Sequence, residues 1–391
     1  MVNLGKAGRD MDYLKRYLIE EEIEEYQENH ISRREMVRRV LIMTGSVPMT
    51  ASILMAAGCG ASPTATAGPT VAAPIAGVTR TTGAVASTAP SAAPLASATR
   101  TTSTLATAVR TVTGASATVP SAATATRAGT AVGTPGGTAT RAGSPAATPS
   151  GITVPPTDPA IDAAAVQFTG QGGVTLFGYL SSPKAATKAP GIIVIHENRG
   201  LTEHIKDMTR RYAKDGFVAL AIDLISRQGG TDKIADPAQI PNILGQAADR
   251  EALVQDMLSA VAFLKTQPKF AGPRAGVVGY CFGGGMTWLL ATRSADIVAA
   301  NPYYGPPPDP IDDVQKVAGP VLAFYGETDS RINANIPAIT DAMKKYNKPF
   351  ESKVFPGAGH AFNNDTGQAY NAAVAREAYQ LSLNFFKTNI K

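Results

Sequence analysis

The feature that most constrains the fold is a glycine-rich segment at residues 275–285. An apolar run, 275–278, leads into Gly279, then Cys281, then three consecutive glycines at 283–285. This G-x-C-x-G-G pattern is the cysteine form of the G-x-S-x-G elbow, in which a sharp turn from strand to helix lifts a nucleophile above a sheet. Glycine leaves the space that such a turn needs beside the nucleophile. The segment predicts a strand, a strained Cys281 and a helix, in that order.

The elbow also predicts part of a catalytic site. It would place the backbone N–H of Phe282 at the N-terminus of the helix, where the group can donate to a developing oxyanion. The alternative is a buried structural cysteine ahead of a glycine-rich turn.

From residue 158 onward, runs of strand length alternate with helical stretches. Residues 191–196 and 217–222 are continuous apolar runs of the kind buried in a parallel sheet. Further strands are predicted at 166–169, 174–180, 298–304, 321–325 and 352–355, and helices at 201–216, 247–267, 335–346 and 368–388. This alternation predicts an α/β fold, with a doubly wound, mostly parallel sheet and helices on both faces.

Residues 60–157 are predicted to be a disordered spacer. They consist almost entirely of Ala, Thr, Ser, Pro, Gly and Val, with five arginines and no acidic residue. Large hydrophobic side chains are too sparse there to offset the entropy of ordering a backbone. The net charge of +5 depends on these arginines, because residues 158–391 contain 23 basic and 22 acidic side chains. A near-neutral domain gives no electrostatic reason to expect a nucleic-acid partner.

Residues 1–59 are predicted to be an export signal. An amphipathic helix over 10–39, acidic and then basic, contains the pair Arg33-Arg34 and precedes an apolar run that ends in small residues before Cys59. Twin arginines, an apolar segment and small residues are typical of an export signal, and the ending resembles the lipobox of bacterial lipoproteins. Cys59 would then be lipidated and would hold the protein at the outer face of the cytoplasmic membrane. The alternatives are a basic helix face and an unmodified thiol.

Polar residues that follow apolar strands lie at the carboxyl edge of such a sheet, where function is concentrated. A thiol needs a base, and the base needs an orienting carboxylate. Asp329 follows the strand at 321–325, and His360 follows the strand at 352–355 in a loop of small residues. The order nucleophile, acid, histidine is that of the Ser-Asp-His triads built on an elbow. Each residue alone could be a turn aspartate or a surface histidine, but together they predict catalysis.

Residues from about 160 to 391 resemble the dienelactone hydrolase family, which includes carboxymethylenebutenolidase. The matching segments are 194–200, 219–224, 279–284, 301–305, 326–329 and 357–362. The resemblance implies an α/β-hydrolase fold, with Cys281 as nucleophile, His360 as base and Asp329 as its orienting acid. It also implies that Glu197 pairs with the resting thiol. A second oxyanion donor would be a backbone N–H near Asn198.

The resemblance further implies a pair of arginines that bind a substrate carboxylate. Arg227 matches one of them, whereas the position of the other is Asn364. The pair that binds the carboxylate would then consist of one arginine and one amide, and Arg199 could compensate for the missing second arginine. Tyr303 is a further candidate for substrate contact.

These observations predict an exported hydrolase of small ester or lactone substrates, with substrates that carry an acid as one possibility. No cofactor and no metal are expected, the membrane is approached only through the lipid at Cys59, and the chain is expected to be a monomer. One alternative is a broad-specificity carboxylesterase for neutral esters. Another is an inactive binding domain displayed on a stalk.

Overall fold

The computed structural model describes Leu4 and residues 11–60, 153–246 and 250–390. The predicted spacer lies almost wholly outside these residues. The strands are β1 (Ile161–Thr169), β2 (Thr175–Pro183), β3 (Ala189–Ile195), β4 (Val218–Asp223), β5 (Phe270–Tyr280), β6 (Ile297–Tyr303), β7 (Val321–Gly326) and β8 (Phe350–Phe355).

The eight described strands form one sheet in the order β1-β2-β4-β3-β5-β6-β7-β8. β2 pairs antiparallel with both β1 and β4, and every other neighbouring pair is parallel. β3 and β5 are in register up to Ile195 and Gly279. Because these strands end side by side, the residues after them emerge at the same edge of the sheet.

The described α-helices are α1 (Tyr13–Gln27), α2 (Arg33–Thr44), α3 (Val47–Ala56), α4 (Glu203–Lys214), α5 (Ile240–Leu244), α6 (Arg250–Lys265), α7 (Phe282–Arg293), α8 (Ser330–Asn333), α9 (Ile336–Lys345) and α10 (Ala372–Asn389). Helices cover both faces of the sheet. On one face α4 meets α10, where the ring centroids of Tyr212 and Phe386 lie 6.1 Å apart. α6 and α7 pack against β5 and against each other on the opposite face. The predicted doubly wound, mostly parallel sheet is confirmed.

The N-terminal region contains three helices, where one helix over 10–39 was predicted. The break follows from local chemistry: Asn29 has a positive φ of 62°, and the Ser32 side chain caps α2 by accepting from the Glu35 N–H. Gly45, in the left-handed conformation, ends α2. α1, α2 and α3 belong to the same compact unit as the sheet. Among the helices that the structure describes, none has the length and apolar character needed to cross a bilayer.

Candidate active site

Cys281 lies at the turn between β5 and α7. Its φ of 56° is in a region that side chains with a Cβ rarely adopt, as predicted for an elbow. Close backbone contacts hold this conformation. A Cβ on Gly279 would lie 2.1 Å from the Gly283 carbonyl oxygen, and one on Gly283 would lie 2.4 Å from the Ile195 carbonyl oxygen. Only glycine fits at either position, so the strand, the turn and the helix are fixed by the sequence.

His360 and Asp329 form a buried pair beside the thiol. The Nδ1 atom of His360 lies 2.6 Å from Asp329 Oδ2. Asp329 is itself fixed, because its other carboxylate oxygen accepts from the Ile332 N–H at the start of α8. Because Asp329 holds Nδ1, the other ring nitrogen, Nε2, is the one that faces Cys281.

A cavity of about 350 Å³ opens at this pair. Its lining includes most of the predicted site residues together with two acidic residues of α1: Cys281, His360, Glu197, Asn198, Arg199, Asn364, Glu21 and Glu25. The carboxyl edge of the sheet therefore brings the predicted nucleophile, base and carboxylate to one cavity.

The profile of the dienelactone hydrolase family matches residues 176–390, more than half of the chain. The chain belongs to the dienelactone hydrolase family. This family membership confirms the predicted α/β-hydrolase fold and the hydrolase class.

Relatives agree with this membership. The chain is 30% identical over 255 residues to a Saccharolobus solfataricus protein named a candidate carboxymethylenebutenolidase, covering 56% of this chain and 96% of that protein. A Methylorubrum extorquens protein of the same name is 33% identical over 235 residues, covering 58% of this chain and 80% of that one. A crystal structure described as a dienelactone hydrolase from Klebsiella pneumoniae is 28% identical, with a TM-score of 0.54, and covers 58% of this chain and 99% of that chain.

The carboxylate that contacts the thiol comes from α1, outside the part of the chain that matches the family. The thiol of Cys281 donates to Glu21 Oε1 at 3.5 Å, and the same oxygen lies 3.0 Å from His360 Nε2. The latter contact is an ion pair without the alignment of a hydrogen bond. The Tyr17 hydroxyl lies 3.5 Å from the sulfur. Glu21 was not predicted as a site residue, since an acidic stretch of a helix is ordinarily solvated.

These contacts set the protonation of the triad. Burial, reinforced by the negative charge of Glu21, raises the pKa of Cys281 to about 11. Burial alone would lower the pKa of His360, but Glu21 and Asp329 outweigh it and hold that pKa well above its ordinary value. Burial opposes ionisation of Glu21, yet His360 and Arg331 lower its pKa. The thiol is therefore neutral and the imidazole is charged when α1 is in place.

Two arginines hold the acidic residues of α1. Arg331, in α8, donates through Nε to Glu24 Oε2 at 2.8 Å and forms a short contact with Glu21. Arg199, which follows β3, donates to Glu25 Oε2 at 2.6 Å. Arg199 was predicted as a substrate contact and does line the cavity, whereas Arg331 was missed.

Glu197 lines the cavity but has a different partner from the predicted one. Asn364 donates through Nδ2 to Glu197 Oε2 at 2.7 Å, while the other oxygen, Oε1, is buried without a hydrogen bond among the described residues. Burial raises the pKa of Glu197. Glu197 was predicted to pair with the resting thiol. In this structure Glu21 makes that contact instead, because α1 lies against the sulfur.

The structure does not bring Arg227 or Tyr303 to the cavity. Arg227 follows β4 as predicted, but it turns to Asp256 of α6 and donates two hydrogen bonds at 2.8 and 2.9 Å. Tyr303 is fully buried, and its hydroxyl lies 2.6 Å from Ser382 Oγ. The next residue, Tyr304, lies against His360 with ring centroids 4.9 Å apart. Tyr304 lies just beyond the end of β6, where its positive φ of 36° departs from the extended backbone of the strand.

The residues predicted to supply backbone oxyanion donors, Phe282 and Asn198, follow β5 and β3. Phe282 is the first residue of α7, where N–H groups have no partner within the helix. Asn198 lines the cavity, and its buried Nδ2 has no hydrogen-bond partner among the described residues.

The groups that could bind a metal ion belong to the same site. Ligand atoms of Glu21, Cys281 and His360 lie within 4.8 Å of one another. A thiol, an imidazole and a carboxylate are possible zinc ligands. Two of these three residues, Cys281 and His360, are the predicted nucleophile and base.

Proposed function

We propose that the chain hydrolyses small esters or lactones with Cys281 as the nucleophile, by way of a thioester. The observation that carries the proposal is the arrangement of three buried groups. Cys281 has the strained conformation of an elbow, and the Asp329–His360 pair lies directly beside it. Membership of a hydrolase family supports the same chemistry.

The geometry supports the following reaction. When His360 is neutral, its Nε2 takes the proton of the thiol, and the thiolate attacks the carbonyl carbon of the substrate. The resulting oxyanion accepts from the Phe282 N–H and from a donor at Asn198. The carbon–oxygen bond then breaks, and the alkoxide leaves with the proton held by His360. Water attacks the thioester, giving the carboxylic acid and restoring the thiol, while Asp329 keeps the imidazole oriented throughout.

Substitution of the nucleophile tests the proposal. Cys281→Ala should lower ester hydrolysis by at least about a thousandfold, since groups that act as one unit lose nearly all catalysis when one is removed. Cys281→Ser should retain little activity, because a hydroxyl is a weaker nucleophile at a site that positions a thiol. Cys59→Ala is the matched control, as it removes the other buried thiol of the chain.

Mass spectrometry of the quenched reaction gives a second measurement. An acyl adduct should appear on the peptide that contains Cys281. Hydrolysis at the wild-type rate by Cys281→Ala would place the chemistry elsewhere.

A second candidate, hydrolysis of neutral esters, is favoured by the position of Arg227. Because Asp256 holds this arginine, it does not present a charge to the cavity. A panel of matched esters with and without a carboxylate separates the two candidates by the ratio of their kcat/KM values.

A further inference from the structure

The carboxylate of Glu21 occupies the space in which the proposed reaction must occur. A reacting carbonyl carbon has to come within about 3–3.5 Å of the nucleophile. Glu21 Oε1 already lies 3.5 Å from the Cys281 sulfur and 3.0 Å from His360 Nε2. The Tyr17 hydroxyl covers the sulfur from the preceding turn of α1 at 3.5 Å. A substrate carbonyl and these two side chains cannot occupy the site together.

Arg331 holds Glu21 and Tyr17 in these positions. Its guanidinium contacts Glu21 and Glu24, and it lies 4.8 Å from the centroid of the Tyr17 ring. Arg331 is 3% exposed, so a charge at this position needs a partner. Carboxylates supply that partner in the form that guanidinium groups bind best. Arg331 therefore binds carboxylates beside the Cys281–His360 pair, and Glu21 and Glu24 are its ligands.

Arg199 forms a second contact of the same kind one residue further along α1, on an adjacent side of the helix. It lies 2.6 Å from Glu25 and 3.4 Å from the fully buried Glu22. Arg39 of α2 also reaches Glu22, at 2.8 Å. Arg199 and Arg331 thus both follow strands at the carboxyl edge of the sheet, Arg199 in the loop after β3 and Arg331 in α8 after β7.

The composition of α1 matches this environment. Glutamate is almost never fully buried unless it is paired. Four glutamates of α1 are nevertheless buried, alongside apolar residues that are fully buried: Glu20, Glu21, Glu22, Glu24, Leu18, Ile19 and Ile23. A surface helix would bury one apolar stripe and expose its charges. α1 instead buries acidic and apolar side chains together, as expected of a segment that binds inside a charged cavity.

We propose that α1 is a built-in ligand of the active site, held by the carboxylate-binding contacts of Arg331 and Arg199, and that Cys281 reacts only when α1 is displaced. This proposal rests on the proposed function for the identity of the nucleophile. The binding of α1 and the hydrolysis of esters can be measured separately, so the two proposals can fail separately.

The first experiment measures access to the thiol. The full chain carrying Cys59→Ser is treated with iodoacetamide, and alkylation of Cys281 is followed by mass spectrometry. Glu21→Gln keeps the size of the side chain and removes its charge. It should raise the alkylation rate by about ten- to a hundredfold, the factor that corresponds to one lost charge-assisted contact. Glu20→Gln is the matched control, because Glu20 is also buried but pairs with Arg16 on the same helix. It should change the rate by less than about threefold, as an i, i+4 pair contributes little.

The second experiment measures displacement directly. Alkylation of Cys281 with N-ethylmaleimide places a bulky group where Glu21 lies. Because binding is reciprocal, the adduct should expel α1 and increase hydrogen exchange of the amides in residues 13–27. Exchange in α4, on a face of the sheet, serves as the internal reference. Unchanged exchange in 13–27 after full alkylation would overturn the proposal.

The outcomes separate the two proposals. Faster alkylation in Glu21→Gln without ester hydrolysis by any variant supports the role of α1 and refutes the proposed activity. Hydrolysis that needs Cys281, with equal rates in wild type and Glu21→Gln, supports the activity and refutes the role of α1.

Discussion

At the scale of single residues, one carboxylate determines the chemical state of the site. Glu21 lies between the thiol of Cys281 and the imidazole of His360 and favours a proton on both. A charged imidazole cannot accept a proton, and a neutral thiol is a poor nucleophile. The resting site is therefore closed sterically by α1 and chemically by the same side chain.

Loss of the Glu21 charge should lower the pKa of the Cys281 thiol. The titratable and charged groups that interact with Cys281 among the described residues are Glu21 and Tyr17 from α1, Glu197 and Arg199 after β3, Tyr304 after β6 and His360 after β8. Burial and, after it, the charge of Glu21 raise the thiol pKa to about 11, so Glu21→Gln should move the midpoint of the thiolate absorbance at 240 nm to lower pH. Thiolate should then be present at pH values where the wild-type thiol is protonated. An unchanged midpoint would mean that burial alone controls this thiol.

A second prediction concerns Arg227, whose bidentate contact with Asp256 makes it a structural residue. Arg227→Met leaves the buried Asp256 unpaired and should lower the free energy of unfolding by about 1–3 kcal/mol. It should change kcat/KM for acidic and neutral esters by the same factor. Arg227→Met with Asp256→Asn, which removes both charges, should recover most of the stability. A loss confined to acidic esters would restore Arg227 as a substrate contact.

At the scale of elements, the elbow and the ends of the parallel strands position the site. β3 and β5 end in register, so the backbone after β3 lies against the first turn of α7. This close approach explains why the glycines of the elbow occur at fixed positions. It also ties the predicted oxyanion donors, Phe282 and Asn198, to the two strands that meet there.

The elbow therefore should not tolerate a methyl group at Gly283. The added Cβ would lie 2.4 Å from a backbone oxygen that cannot move away. Gly283→Ala should lower the Tm by about 6–12 °C, which corresponds to an overpacking cost of about 3 kcal/mol. Gly367→Ala is the control, because its Cβ would meet its nearest neighbour at an ordinary 3.5 Å. Equal Tm values for the two variants in a thermal melt would show that the elbow can relax.

The elements that could be predicted from the sequence are those with a local signal. Strands such as β3 and β4 are continuous apolar runs, and the candidate triad residues follow β5, β7 and β8, so the fold and the order of these candidates could be predicted. The contact of Glu21 with Cys281 joins residues 260 positions apart. No local pattern encodes such a contact. The orientation of the Arg227 side chain also depends on Asp256. That residue lies on α6, and the sequence does not show how this helix packs.

At the scale of the whole molecule, the N-terminal segment has two proposed roles. It binds at the active site through α1, and it carries the features of an export signal. Arg33 and Arg34 lie exposed in the first turn of α2, where a binding partner could contact them. Cys59 is buried, and its carbonyl oxygen accepts from Arg33.

The proposed lipid anchor is tested by substitution of Cys59. In a bacterial host that processes lipoproteins, the wild-type chain should sediment with membranes, and Cys59→Ala should partition to the soluble fraction. Cys281→Ala is the matched control and should remain with the membranes. A soluble wild-type protein that retains residues 1–58 would contradict the anchor.

The position of α1 within the chain has a consequence for irreversible activation. While the peptide chain is intact, α1 acts at a fixed effective concentration, which does not fall when the protein is diluted. One cleaved peptide bond between α1 and β1 would make α1 a free peptide, and at low protein concentration it would dissociate. Cys59 lies in that interval, so processing there would release the active site, as removal of a propeptide activates a zymogen. Such a protein would be exported while α1 still covers the Cys281 thiol, and the thiol would become reactive only after processing at Cys59.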